Sequence, residues 1–393
     1  MNSKVLFIHD GPLGLYKGLH YGVHYKNELI GRYKKLGDKQ VTFLMRETIL
    51  TQQDLNKFTL IDHPLFHFIK IPNFKSITSY SNKNKAKQII EQAVADHHVI
   101  ICRLPSAAGV IAFKKAKKQN KPILVEGVAC VFDALWNYDW RGKLLAHYKY
   151  YKYKSIFKQA SHVLYVTDQF LQKRYPTLGK SLGCSDVMLN SQNETKLAQR
   201  LEQIKKEGTN SIRQLSTVAA IDVLYKGQAD VIKAIYQLRK KNIYYIYKII
   251  GQGNPTRLQK LIDELELNDL VEIVGPLPHN EVFHQLEKTD IYIQPSKQEG
   301  LPRAVIEAMS LGCPVIGTDA GGIPELIQSE CVYPKGDIPQ LTKKLSIVNE
   351  DFLLKQAKAN FEKSKEFQNS FLEEKRTAFY DEFLRDHSLK KYI

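Results

Sequence analysis

Glu299 and Glu307 stand eight positions apart in the segment 298–325, QEGLPRAVIEAMSLGCPVIGTDAGGIPE. Between them a Gly-Leu-Pro turn leads into Ala304, Val305, Ala308, Met309 and Leu311, an apolar stripe at helical spacing. Pro302 suits the first turn of that helix, where its missing N–H costs nothing. Gly312 and Pro314 stop the helix, and residues 314–317 read as a short buried strand. Glu299 then sits in a strand-to-helix loop, and Glu307 lies less than two turns inside the helix, facing the same mouth. The amides of residues 300–303 cluster at a helix N-terminus, which suits a phosphate or diphosphate. One carboxylate at the loop, another deeper and a set of amides between them describe a pocket for a nucleotide sugar.

In the order of these parts, the segment resembles the Glu-x(seven)-Glu signature of the retaining glycosyltransferases of family four, which adopt the GT-B fold. The resemblance is close over most of residues 210–345 and extends to the first half in layout only. It implies that Glu299 holds the donor sugar's hydroxyls and that Glu307 binds the ribose, a carboxylate being able to accept two hydrogen bonds from a vicinal diol. It makes Gly300, Leu301 and Pro302 donor-binding. Tyr225-Lys226-Gly227-Gln228 looks like the family's Lys-Gly loop, whose lysine neutralises the departing diphosphate. Relatives often carry an arginine shortly before that lysine, whereas AAIDVL precedes it here. Gly251 and Gly253 stand in a Gly-x-Gly loop after a strand, and Gly275 at a strand exit of the kind that holds a nucleobase. No metal and no cofactor is expected beyond the nucleotide-sugar co-substrate.

The first half offers a glycine-rich stretch, HDGPLGLYKGLHYG, that reads as a loop after its first strand. There the family brings backbone amides to the donor phosphate or acceptor, which makes Gly11 a donor contact. Many relatives place a histidine after the fourth strand, where this chain has Val125-Glu126-Gly127-Val128. Glu126 is therefore the candidate catalytic group at that position. His9 and Arg103, each at a strand end, point toward the cleft, and Arg103 is a candidate for the acceptor. The run YKYYKYKSIFK at 148–158 interleaves five aromatics with four lysines. Such interleaving suits an interfacial segment, with rings at headgroups and ammoniums at lipid phosphate. It also suits single-stranded nucleic acid. Without an RNA-binding motif the membrane is preferred, with Lys152, Lys154 and Lys158 as its contacts.

The elements that position these groups repeat a strand–helix alternation. Apolar runs of strand length fall at 4–8, 40–45, 98–102, 122–125 and 162–166, with helical stretches at 21–36, 84–96, 106–119 and 144–160. The polar stretch LNSQNETK follows. The alternation then restarts with strands at 213–219, 244–250, 271–274, 291–294 and 315–316 and helices at 230–240, 256–266, 281–286 and 302–311. Strand alternating with helix gives a parallel sheet covered on both faces. The expected α/β architecture is two Rossmann-like domains facing across a cleft. Residues 1–188 would bind the acceptor and 189–372 the nucleotide sugar, and a C-terminal helix, 373–393, would cross back to the first domain.

A chain of 393 residues suits two domains. No window reaches the roughly 18 consecutive apolar residues of a membrane span. Five scattered cysteines without a Cys-x-x-Cys pair suggest reduced thiols in a cytoplasmic protein rather than a zinc site. The net charge of +16 is lopsided. Residues 1–190 hold 29 Lys+Arg against 13 Asp+Glu, and residues 191–393 hold 28 against 28. A basic half joined to a neutral one points to one face meeting an anionic surface, here the inner face of the cell membrane, and not to nucleic acid. The expected activity is metal-independent, retaining transfer of a hexose from a nucleotide sugar to a glycan or lipid-linked acceptor. Another GT-B enzyme, such as an epimerase or a phosphorylase, and a silent nucleotide-sugar- or lipid-binding subunit are the alternatives.

Overall fold

A computed structural model describes residues 3–23, 25, 27–74, 81–189, 193–208 and 212–389. The first sheet contains β1 (Lys4–Tyr16), β2 (Leu19–Gly22), β3 (Gln40–Ile49), β4 (Thr59–Leu60), β5 (Phe66–Lys70), β6 (Val99–Leu104), β7 (Ile123–Gly127), β8 (His162–Tyr165) and β9 (Lys180–Gly183). Its parallel order is β5-β3-β1-β6-β7-β8-β9, with β2 and β4 attached antiparallel beyond β1. Around it run α1 (Asn27–Tyr33), α2 (Asn82–Asp96), α3 (Ala107–Lys118), α4 (Val131–Trp136), α5 (Trp140–Gln159) and α6 (Phe170–Arg174).

The second sheet is parallel, β12-β11-β10-β13-β14-β15, from β10 (Arg213–Val218), β11 (Tyr245–Ile250), β12 (Val271–Gly275), β13 (Ile291–Gln294), β14 (Val315–Thr318) and β15 (Val332–Tyr333). Its helices are α7 (Glu194–Glu207), α8 (Gln228–Arg239), α9 (Thr256–Glu264), α10 (His279–Glu287), α11 (Arg303–Ser310), α12 (Ile323–Leu326), α13 (Ile338–Ser346) and α14 (Glu350–Ser364). Strands such as ILVEG in β7 and IYIQ in β13 are buried at every residue. Helices therefore cover both faces of each sheet, as continuous rather than alternating apolar runs require.

The chain crosses between the halves twice, side by side. Leu189 bridges Gln368, and the Asn369 amide donates to the Leu189 carbonyl at 3.0 Å. Residues 190–192 of the polar stretch expected at the boundary lie outside the described residues, as do 390–393. The last helix, α15 (Asn369–Asp386), lies against the first half: Arg376 Nη2 donates to the Ser185 carbonyl at 2.8 Å, and the His162 and Phe383 rings meet edge to face at 5.1 Å.

Two expectations fail near the N-terminus. The glycine-rich stretch is not a loop, because β1 continues through it to Tyr16 with a register shift between Ile8 and Pro12. Lys17 and Gly18, at φ of +48° and +80°, then form a two-residue turn into β2. Positive φ at both central positions is what a tight right-twisted hairpin needs. The helix expected at 21–36 shrinks to α1 for the same reason, since β2 occupies its start.

Candidate active site

Each loop leaving the carboxyl end of β10 to β13 contributes to one mouth. The 3₁₀ turn Leu224–Lys226 ends at Gly227, whose φ of +77° and contact with the Pro295 carbonyl leave no room for a Cβ. That close approach seats Lys226 beside the loop after β13. There Lys226 Nζ meets Glu299 Oε1 at 2.6 Å, with both side chains mostly buried. Behind them, Gln294 Nε2 donates to the same Glu299 oxygen at 3.0 Å, and the buried Tyr292 hydroxyl donates to Gln294 Oε1 at 2.9 Å. Glu299 is thus fixed from β13 itself, a support that is invisible in the Glu-x(seven)-Glu spacing.

Glu307 lies in α11 as expected, and its Oε1 is 3.3 Å from His279 Nε2 at the start of α10. Pro302 sits at the N-cap with ψ 115°, one position outside the helix, and brings no side-chain cap. The N-terminus of α11 thus stands beside Glu299 without a cap from Pro302, and such a terminus favours an anion. Gly251 and Gly275 are joined by the Gly251 amide donating to the Gly275 carbonyl at 2.9 Å, and the Ile221 amide reaches the Gln252 carbonyl at 3.0 Å. A Cβ on Gly253 would meet the Asp222 carboxylate. Sequence reasoning found no cation before Lys226. In the structure Arg257 Nη2 lies 3.4 Å from the Ile221 carbonyl, bringing a guanidinium to that loop from α9.

The first half touches this loop directly. Gly300 packs on the Val128 carbonyl so closely that a Cβ would overlap it. Asn137 Nδ2 donates to Gln298 Oε1 at 3.2 Å. From α12, Glu325 accepts the backbone N–H groups of Asp168, Gln169 and Phe170 at 2.7, 3.2 and 2.5 Å, across the two halves. Charged acceptors of this kind are worth roughly 1.5–3 kcal/mol. Glu325→Ala is expected to loosen the closed arrangement, seen as a larger radius of gyration in solution scattering and a raised donor KM. Unchanged scattering would count against that role.

Other first-half candidates are differently placed. Gly11 lies inside β1 rather than in the expected loop, and its amide donates to His9 Nδ1 at 2.9 Å. The Tyr25 hydroxyl lies 2.7 Å from that same His9 nitrogen. Glu126 is not an open group standing in for a histidine. Its Oε1 accepts from the Tyr33 hydroxyl at 2.7 Å and its Oε2 from Arg103 at 2.8 Å. Arg103 also reaches Asp186 at 2.5 Å, Arg32 lies 3.5 Å from Asp186, and Arg32 meets Glu373 of α15 at 3.0 Å. Burial, and then the Glu126 charge, push the Tyr33 phenol well above its ordinary value, so it stays a donor. Arg103 and Glu126 therefore form part of a partly buried ion network that holds α15.

The aromatic run at 148–158 divides between faces. Tyr153 and Phe157 point into the core, while Tyr148 and Tyr151 are exposed. Lys158 is exposed, and Lys152 and Lys154 are half-buried. The five cysteines are buried and unpaired. Among the described residues, no group of three or more His, Cys, Asp or Glu side chains is placed to hold a metal ion, and no helix is long and apolar enough to cross a membrane.

Two facing Rossmann-like sheets with this carboxylate–ammonium pair at the mouth define a GT-B architecture. The chain superposes on sucrose-phosphate synthase from Thermosynechococcus elongatus with a TM-score of 0.69 at 15% identity, covering 98% of this chain and 100% of that one. On Anabaena HepE in complex with UDP-glucose the TM-score is 0.66 at 13% identity, covering 97% and 100%. Residues 199–364 match the family model of the glycosyl transferases group 1. Protein CapJ of Staphylococcus aureus is 29% identical over 365 residues, 90% of this chain and 87% of CapJ. The putative colanic acid biosynthesis glycosyltransferase WcaL of Salmonella typhimurium is 28% identical over 270 residues, 66% of this chain and 63% of WcaL.

Proposed function

We propose that this protein is a glycosyltransferase of that group and moves a hexosyl group from a nucleotide sugar to a lipid-linked glycan in capsular or exopolysaccharide assembly, with retention at the anomeric carbon and without a metal ion. The Lys226–Glu299 pair at the carboxyl end of the second sheet carries the reading. The amides of residues 300–303 and the Lys226 ammonium would receive the diphosphate, whose charge grows as the anomeric C–O bond breaks. Glu299, held by Gln294, would bind the sugar's hydroxyls beside the developing oxocarbenium ion. Glu307 would take the ribose, with Gly251, Gly253 and Gly275 toward the base. The acceptor hydroxyl would attack from the departing phosphate's own face, and a phosphate oxygen would take its proton.

Residues 1–188 would bind the acceptor and 189–372 the donor, with the C-terminal helix tying them together. The +16 charge of the first half suits an acceptor at an anionic membrane surface, on the inner face of the cell membrane. WcaL's name places that relative in colanic acid biosynthesis, and HepE binds UDP-glucose; both support a nucleoside-diphosphate sugar here. The test is slow donor hydrolysis with a panel of nucleotide sugars, the first-released anomer being read by NMR. Release of the inverted anomer would reject retention.

The two glutamates should separate in their effects. Glu307→Gln is expected to weaken nucleotide diphosphate binding by about 1.5–3 kcal/mol in calorimetric titration, and Glu299→Gln mainly to lower turnover. Equal affinity in both variants would reject the assignment.

A further inference from the structure

α5 carries apolar residues on two opposite faces. Ala146, Tyr153, Ile156 and Phe157 turn into the core, whereas Trp140, Leu144, Tyr148 and Tyr151 form a second stripe in solvent. Trp140 is 67% and Leu144 72% exposed. Just before the helix, Trp136 and Tyr138 add rings at 42% and 79% exposure. A helix that is apolar beyond its buried face leaves that second face needing a covering.

The charges say what covers it. The 20 residues of α5 contain no Asp or Glu, and they carry Arg141, Lys143, Lys149, Lys152, Lys154 and Lys158. Beside them, a groove of about 550 Å³ between α3 and α5 is lined by Lys114, Lys117, Lys118 and Lys152. Apart from Asp139, the N-cap between Tyr138 and Trp140 whose carboxylate accepts from the Gly142 amide at 2.6 Å, the charges around these rings and leucines are cations. That pattern matches an anionic lipid surface, where apolar groups enter the acyl boundary and ammoniums meet phosphate.

We propose that the face formed by Trp136, Tyr138 and the Trp140–Leu144–Tyr148–Tyr151 stripe docks α5 in the plane of an anionic bilayer by inserting these side chains. The helix is about 30 Å long, so the contact is extended. Asn137, between two of the inserted rings, is the residue that donates to Gln298 beside Glu299. The inserted edge therefore adjoins the catalytic loop, and a lipid-linked acceptor would enter the mouth from the bilayer plane. This rests on the reading that the acceptor is lipid-linked, and it adds insertion by a defined face to the contact expected of Lys152, Lys154 and Lys158.

The chain's two tryptophans, Trp136 and Trp140, both lie on this face and are native reporters. With phosphatidylglycerol/phosphatidylcholine vesicles, the full chain should show a blue-shifted emission that brominated acyl chains quench, and part of the binding should survive high salt. Pure phosphatidylcholine should give a much weaker response. Leu144→Glu with Tyr148→Glu should lower vesicle partitioning about tenfold or more. Both side chains face solvent, so the thermal midpoint and lipid-free donor hydrolysis should stay unchanged. Flotation with anionic vesicles without any emission shift would overturn insertion by this face, as would a concentration-dependent blue shift without vesicles, which would assign the face to a second copy of the chain. A protein that hydrolyses donor but ignores anionic vesicles loses this inference and keeps the transferase reading. One that inserts but never turns over a donor loses the transferase reading instead.

Discussion

Lys226→Ala is expected to lower sugar transfer on the order of a hundredfold or more. The leaving diphosphate gains charge in the transition state, and Lys226 Nζ is the ammonium fixed at the mouth, 2.6 Å from Glu299. Removal also strips Glu299 of its cation and leaves Gln294 as its remaining described partner. The variant should therefore lose kcat more than donor affinity. Arg257 approaches the preceding loop from α9 and touches its backbone at Ile221. If that guanidinium helps hold the diphosphate, Arg257→Ala should raise donor KM with a smaller effect on kcat. Steady-state kinetics on both variants, with and without a chelator, check the scheme. Wild-type kcat in Lys226→Ala, or a wild-type enzyme silenced by chelation and restored by magnesium, would end the metal-free reading.

The donor half was legible because its signals are local. Glu299, the turn, the α11 stripe and β14 follow one another within 298–325, and backbone periodicity alone puts the two glutamates at one mouth. What escaped was held by distant partners. Tyr292 and Gln294 look like ordinary strand residues until the fold brings Lys226 to Glu299. Glu126 occupied a cleft position in the linear order, yet its roles as acceptor from Tyr33 and Arg103 depend on residues far away in sequence. The stripe on α5 was legible only in part. The run at 148–158 reads as interfacial from its aromatics and lysines, but only the fold separates Phe157 inside from Tyr148 and Tyr151 outside and adds Trp140 and Leu144 to their face. The hairpin at Lys17-Gly18 escaped because four glycines in one stretch suggest a loop, although alternating residues around a two-residue turn also build strands.

The second large effect concerns stability. Arg103→Met is expected to cost about 3–5 kcal/mol at neutral pH, because it leaves the buried Glu126 and the partly buried Asp186 without their shared cation. Burial alone would raise the Asp186 carboxyl, but the charges of Arg103 and then Arg32 outweigh it and hold the group well below the usual carboxylate range. A carboxylate depressed in the folded state stabilises above its unfolded pKa of about 3.9, and that contribution fades as pH falls toward the folded value. Wild type should therefore lose stability on acidification below about pH 4 through this group. In Arg103→Met, Arg32 at 3.5 Å and, more weakly, Arg376 remain to hold Asp186 ionised. The gap between variant and wild type should thus be widest near neutral pH and narrow in acid. Because the network continues through Arg32 to Glu373, loss of Arg103 should also loosen α15 from the first half. Urea unfolding at neutral and acid pH measures the gap, and hydrogen exchange along α15 measures the loosening. Arg103→Met combined with Glu126→Gln and Asp186→Asn should recover part of the loss, since neutral amides can remain buried where unpaired charges cannot. A pH-independent gap, or no recovery in the triple variant, would mean that Arg103 contributes packing rather than charge.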